Sequence, residues 1–256
     1  MNRRRFLRSL AAAAACPVCA SLASTAQAAG GKTHWTYEGH EGPEHWGNLD
    51  PSYGACSMGH EQSPINLTSA TPAMVGDLDI RWRPVALDVV NNGHTIQCNT
   101  PDGGSLVVDG KEYSLLQFHF HHPSEHVVNG MPHAMEVHFV HQAADKSLAV
   151  IGVFFQAGAA NSTLAPIWQA MPKEAGGHVQ NATMITPAQF LPPREVTWRY
   201  AGSLTTPPCS EVVSWIVYQD PIEASVEQIN AFGAMFPMNA RPAQPLNRRK
   251  LLVDFF

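Results

Sequence analysis

The stretch Gln117-Phe118-His119-Phe120-His121 constrains the chain more than any other. Polar and aromatic residues alternate in it with period two, the period of a β-strand. Gln117, His119 and His121 then share one face, the two imidazoles roughly 7 Å apart along the strand. Phe118 and Phe120 take the other face and need an apolar layer against them. Further short runs rich in aromatic and branched residues cover Leu106-Val107-Val108 and residues 113–121, 134–141, 148–155 and 212–218. Turn residues separate them: Asn91-Asn92-Gly93, Pro101-Asp102-Gly103-Gly104, Asp109-Gly110, Asn129-Gly130 and Pro207-Pro208. Only residues 162–169 and 224–236 suggest helices. No internal repeat, low-complexity linker or composition shift follows residue 31. The expected fold is a single, mainly β domain with minor α content: a central, largely antiparallel sheet with short peripheral helices.

Residues 1–28 stand apart as a signal peptide. Arg3, Arg4, Arg5 and Arg8 form a basic n-region, an Ala-rich stretch follows, and Ala26-Gln27-Ala28 is a small-residue cleavage site. Arg3-Arg4-Arg5-Phe6-Leu7-Arg8 is similar to a twin-arginine export signal. Export places the domain, residues 29–256, in the periplasm or outside the cell, with no stable membrane insertion after cleavage. Cleavage leaves 12 basic against 21 acidic residues, a formal charge of −9. That acidity argues against a nucleic-acid partner. Three cysteines remain, Cys56, Cys98 and Cys209, enough for one bridge and a leftover thiol; position alone does not choose the pair.

A second alternating run, Glu136-Val137-His138-Phe139-Val140, puts Glu136, His138 and Val140 on one face. If this strand pairs with the first, His138 joins His119 and His121. Three imidazoles with an open fourth position are the ligand set of a catalytic zinc site. Gln117 and Glu136 each stand two residues before a candidate ligand and can accept its second N–H. His122, His133 and His141 gain no such support and read as surface or loop residues, and His126 as a structural hydrogen-bonding group. Spacing leaves a rival open: His119-x-His121 followed by Glu125 also matches a cupin metal motif in which the Glu is itself a ligand.

The sequence resembles the alpha-carbonic anhydrases over nearly all of the chain beyond the signal. The resemblance rests on His34-Trp35-Thr36-Tyr37, Gly42-Pro43-Glu44-His45-Trp46-Gly47, Gln62-Ser63-Pro64-Ile65-Asn66-Leu67, Asn91-Asn92-Gly93-His94 and Gln117 to His121. It continues through Ser124-Glu125-His126, Glu136-Val137-His138, Gly202-Ser203-Leu204-Thr205-Thr206-Pro207-Pro208 and the run NARPAQPL from Asn239. The family's fold is a large twisted sheet with zinc at the base of a conical cleft. Its reaction is reversible hydration of carbon dioxide to bicarbonate and a proton, by attack of zinc-bound hydroxide.

By that resemblance His119, His121 and His138 are the zinc ligands. Gln117, Glu136 and the Asn239 carbonyl hold their second nitrogens. Thr205 is the gatekeeper whose proton Glu125 accepts, and His94 is the proton shuttle. Val140, Val150, Leu204, Val213 and Trp215 form the wall where carbon dioxide sits, and Tyr37, Asn92 and Thr206 order water. Cys56 and Cys209 match the disulfide of bacterial relatives. Gln97 departs from the pattern, standing where many animal enzymes carry Asn. The implied protein is a monomer or homodimer acting on a small molecule. An inactive binding module on the same fold is the other class to weigh; loss of a zinc histidine would mark it, and all three are present.

Overall fold

The computed structural model describes residues 33–254, which lie in one compact unit. The expected signal peptide lies outside the described residues. Eight strands position the site: β1 (Val85–Asn91), β2 (Ile96–Asn99), β3 (Lys111–His121), β4 (Met135–Gln142), β5 (Leu148–Ala157), β6 (His178–Ile185), β7 (Thr197–Gly202) and β8 (Val213–Tyr218). They belong to a thirteen-stranded sheet in the order β6-β1-β2-β3-β4-β5-β8-β7, continued by Leu252–Asp254 and Thr71–Ala73. Most neighbours are antiparallel; β5 runs parallel to β8 and to Ile222–Ala224, and Leu252–Asp254 parallel to Thr71–Ala73. The five strand runs expected from sequence and both helices, now Leu164–Ala170 and Val226–Gly233, are present within a few residues of their expected limits. Strands β1, β2, β6 and β7 were not anticipated. In β6, His178–Ile185, most side chains are exposed, so it lacks an apolar face to announce it.

Sequence and burial agree strand by strand. In β1 the pattern is buried at every second residue, as one packed face requires. The middle of β5, Ala149 to Phe155, is buried throughout because both sheet faces are covered there. On one face Phe118, Phe120, Phe139, Phe155, Phe190 and Phe232 build the main core. Removing a ring such as Phe118 or Phe120 costs about 3–5 kcal/mol. Val226–Gly233 closes this core with Ile229 and Phe232, its start fixed by a capping box between Ser225 and Gln228. The opposite face carries a smaller apolar cluster around Val150, Phe154, Val213, Trp215 and Val217.

One irregularity decides which residues face the site. Val140 pairs with Gln117, but His141 pairs with Leu115, so β3 carries an extra residue, Leu116, at a bulge. Before the bulge Tyr113 and Leu115 face the core; after it Phe118 and Phe120 do. The bulge thereby turns Gln117, His119 and His121 away from the main core. On β4, Met135, Val137 and Phe139 face the core, and the same unbroken alternation turns His141 inward. That residue, read from sequence as a surface histidine, is fully buried, with Nδ1 3.1 Å from the Ala149 carbonyl and Nε2 accepting from the Trp82 indole at 2.9 Å. Among the described residues no helix is long and apolar enough to cross a membrane.

Candidate active site

Antiparallel pairing sets His138 of β4 directly opposite His119 of β3, with His121 two residues further on the same face. The three rings approach to centroid distances of 5.0, 5.5 and 4.6 Å, and one nitrogen of each lies within 4.8 Å of the others. The remaining nitrogens have neighbours. His119 Nδ1 lies 2.8 Å from Gln117 Oε1 and His121 Nδ1 lies 2.7 Å from the Asn239 carbonyl. Both oxygens are acceptors, so each Nδ1 carries the proton and each Nε2 presents a lone pair. Glu136 Oε1 stands 2.9 Å from His138 Nε2, at hydrogen-bond distance but without hydrogen-bond alignment.

The electrostatics suit a cation site. Burial, reinforced by the neighbouring His121 and His138, holds His119 well below the usual imidazole range. Burial also lowers His121, against the pull of Glu125. Burial pushes His138 down too, but Glu136 beside it outweighs burial and leaves it raised. Nε2 of His121 and Oε2 of Glu125 are buried with no hydrogen-bond partner. Orphaned buried groups of this kind are costly unless something occupies the space between them. Neutral nitrogen donors in a three-histidine cluster are the chemistry zinc takes, so these residues fit that ion. Glu125 does not join the cluster; its Oε2 is 3.5 Å from His121 Nε2, and its Oε1 accepts the Arg241 backbone N–H at 2.9 Å.

Glu136 ties the site to its surroundings. Its Oε2 accepts the backbone N–H groups of Glu125 and His126, and its Oε1 lies 2.8 Å from His126 Nδ1. Burial alone would raise this carboxyl, but His126 and His138 hold it well below the usual range. His126, fully buried, continues to the Tyr200 hydroxyl at 2.6 Å, which in turn donates to Ser63. The structural role read for His126 is the one it has.

Val140, Val150, Leu204, Val213 and Trp215 fall into one apolar cluster. Tyr37, Asn92, His94, Gln97, Gln117, His119, His121 and Thr206 line a single cavity of about 140 Å³, together with Trp35 and Thr95. Thr205 is buried, but the Thr205–Glu125 hydrogen bond implied by the resemblance is not made, since Glu125 Oε2 has no partner. His94 is half-buried and stacked on Trp35, ring centroids 3.7 Å apart and planes 8° from parallel. Burial, then the nearby His34, lowers its pKa below the usual value. Gly93, at a φ of 88°, turns the chain into His94. Cys56 and Cys209 are bonded, and Cys98 is free and buried.

Sequence reasoning missed Arg241. Its guanidinium is buried and donates to Gln62 Oε1 and to the carbonyls of Ser63 and Cys56. Burial lowers it to about 10, so it remains a cation at neutral pH. The segment holding it was recognised, but nothing in an isolated Arg signals burial. Trp35 was likewise part of a matched segment without an assigned role.

Comparisons with known proteins agree with this geometry. The profile of the family described as eukaryotic-type carbonic anhydrase matches residues 41–255. A carbonic anhydrase of Nostoc sp. is 47% identical over 224 residues, 85% of each chain. The alpha-carbonic anhydrase of Thermovibrio ammonificans, solved with the inhibitor sulfanilamide, is 46% identical with a TM-score of 0.84, covering 87% of this chain and all of that one. Dioscorin, solved in complex with ascorbate, is 31% identical with a TM-score of 0.80, covering 86% of this chain and 98% of that one.

Proposed function

The chain belongs to the eukaryotic-type (alpha) carbonic anhydrase family of enzymes, and we propose that it hydrates carbon dioxide reversibly to bicarbonate and a proton, with a zinc ion held by His119, His121 and His138. The observation that carries the reading is the orphaned Nε2 of His121, buried in a cluster of three imidazoles. A shared fold does not by itself confer an activity, so the argument rests on the site. Bound there, zinc supplies the Lewis acidity that makes water a nucleophile near neutral pH, an effect for which carbonic anhydrases are the type case.

The protein's own groups do the rest. Gln117 and the Asn239 carbonyl lock the tautomers of His119 and His121, and Glu136 steadies His138. Neutral ligands leave the cation its full charge. Glu125 Oε2 is a buried acceptor within the site, suited to take the Thr205 proton. A Thr205 hydroxyl that donates to Glu125 must accept from the nucleophile, which orients it for attack. The wall of Val140, Val150, Leu204, Val213 and Trp215 offers carbon dioxide an apolar surface and no strong grip, as fast turnover needs. Tyr37, Asn92 and Thr206, on the cavity wall, order water toward His94.

His94 carries the proton from the cavity to external buffer. Its lowered pKa keeps it a neutral base at pH 7, ready to accept. The Cys56–Cys209 bond and the arginine-led N-terminal sequence support export to an oxidising compartment. Zinc content measured together with stopped-flow carbon dioxide hydration tests the proposal. About one zinc per chain is expected, with activity lost on chelation and restored by zinc. Metal-loaded protein that does not accelerate hydration would overturn it.

A further inference from the structure

The face of the sheet that carries the histidines continues outward beyond them. Gln97 of β2 lies opposite His119, and Asn99 opposite Gln117. Gln180 of the outer strand β6 lies opposite Asp88 of β1. A line of hydrogen bonds crosses these strands. Gln97 Nε2 donates to Asn99 Oδ1 at 2.7 Å, and Asn99 Nδ2 donates to Asp88 Oδ1 at 2.9 Å. His178 Nε2 reaches the same Asp88 oxygen at 2.8 Å, and Gln180 Nε2 donates to the other at 2.7 Å. Asp88, Asn99, His178 and Gln180 lie outside the recognised site.

The direction of the line follows from its end. An ionised carboxylate accepts hydrogen bonds and donates none. Asn99 must therefore turn its NH₂ to Asp88 and its oxygen to Gln97. Gln97 must then give its NH₂ to Asn99, which leaves Oε1 toward the cleft. Asn92 is fixed independently from the other side. Its Oδ1 accepts the backbone N–H groups of His94 and Thr95, each at 3.0 Å, so its NH₂ points outward. The two amides meet with Asn92 Nδ2 3.5 Å from Gln97 Oε1, at the long end of hydrogen-bond range. Gln97, Asn92 and His94 all line the site cavity.

We infer that Asp88 is a positioning residue for proton transfer: acting through Asn99, it fixes Gln97 with an acceptor oxygen facing the cleft beside Asn92 and His94. The inference rests on the reading of His94 as the proton carrier. A path of ordered water depends on which wall groups donate and which accept. A freely turning Gln97 would present either, and the path to His94 would be correctly polarised only part of the time. The chemical step at the histidine cluster does not use this path.

Asp88→Leu keeps the size and removes the acceptor. Asp88→Asn keeps an oxygen for Asn99, because the exposed Gln180 can turn over to meet the new NH₂. In weak buffer, kcat of Asp88→Leu should fall about threefold to fivefold with kcat/KM unchanged within about twofold, as expected when one polar contact of a network is lost. Asp88→Asn should stay near wild type. Solvent-exchange protection of the Gln97 side-chain amide protons, followed by NMR, should be lost in Asp88→Leu and kept in Asp88→Asn. Combining Asp88→Leu with His94→Ala should lower kcat no further than His94→Ala alone, since both act on one step. Wild-type Gln97 protection in Asp88→Leu, an unchanged kcat, or a parallel fall of kcat and kcat/KM would each overturn the inference. Wild-type kcat in His94→Ala would instead sink the shuttle reading, and the Gln97 protection would then decide the role of Asp88 by itself.

Discussion

At the base of the site, His121 and His138 are about 1% exposed, and the Asn239 carbonyl and the Glu136 carboxylate, on two separate segments, stand against their rings. At the cavity's outer wall, His94 is half-buried and its ring rests on Trp35 by stacking. Both regions are built from imidazoles, yet the packing gives them opposite properties. The inner rings are held in one tautomer and one orientation, as a metal ligand must be. The outer ring follows a glycine-containing turn and is free of any such clamp, as a group that receives and hands on protons must be. Under the proposed function, clamped and unclamped imidazoles are thus divided along the route a proton would take.

The largest effect should come from the inner region. Replacing His119, His121 or His138 with Ala should abolish stoichiometric zinc and lower hydration by more than about a thousandfold. Full activity in any one of these variants would remove that residue from the ligand set. Glu125→Ala separates holding the metal from orienting the nucleophile. Its hydration rate should fall about a hundredfold to a thousandfold, the scale of a lost transition-state hydrogen bond, while zinc stays bound. Loss of the metal would make Glu125 a ligand and restore the cupin-like reading.

His141 extends the comparison to a buried imidazole without a catalytic task. Burial lowers it to about 4, against about 6.5 for an unfolded chain. Between those values the unfolded state binds the proton and the native state does not. Its contribution is therefore complete above about pH 6.5 and is lost as pH falls toward 4, about 3 kcal/mol in all. Urea unfolding of wild type and His141→Gln at pH 7 and pH 4.5 checks this. The variant should show the shallower loss in acid, and equal slopes would show that His141 does not titrate as its burial implies.

The outer region should give the smallest change. His94→Ala should lower kcat about tenfold in weak or bulky buffer and leave kcat/KM unaltered, with small imidazole buffers restoring much of the rate. If both parameters fall and no buffer restores them, His94 is structural and the contrast between the two regions fails.

How much of this could be read beforehand follows from period and distance. The alternation around His119 and around His138 announced two strands, and three imidazoles converge where those strands pair. His141 was misread although it shares the parity of Val137 and Phe139, since a polar side chain at the end of an apolar stripe gives no hydrophobic signal of burial. The Cys56–Cys209 pairing came from resemblance, since residues 153 apart carry no local signal of proximity. Asp88 and Arg241 escaped for the same reason: each owes its meaning to partners on distant segments. Thr205 and Glu125 show the opposite limit, for recognition paired them and their hydrogen bond is not made here.

The carbonyl that holds His121 belongs to Asn239, and the N–H that holds Glu125 belongs to Arg241. Both are supplied about a hundred residues after His138, the last of the three histidines. At synthesis rates of roughly 5–20 residues per second, the ribosome needs about 5–20 s to cover that interval. Through that time His121 exists without the carbonyl that locks its tautomer. The site therefore matures late, and under the proposed function choosing its ion is a task for the nearly finished chain rather than for the nascent one.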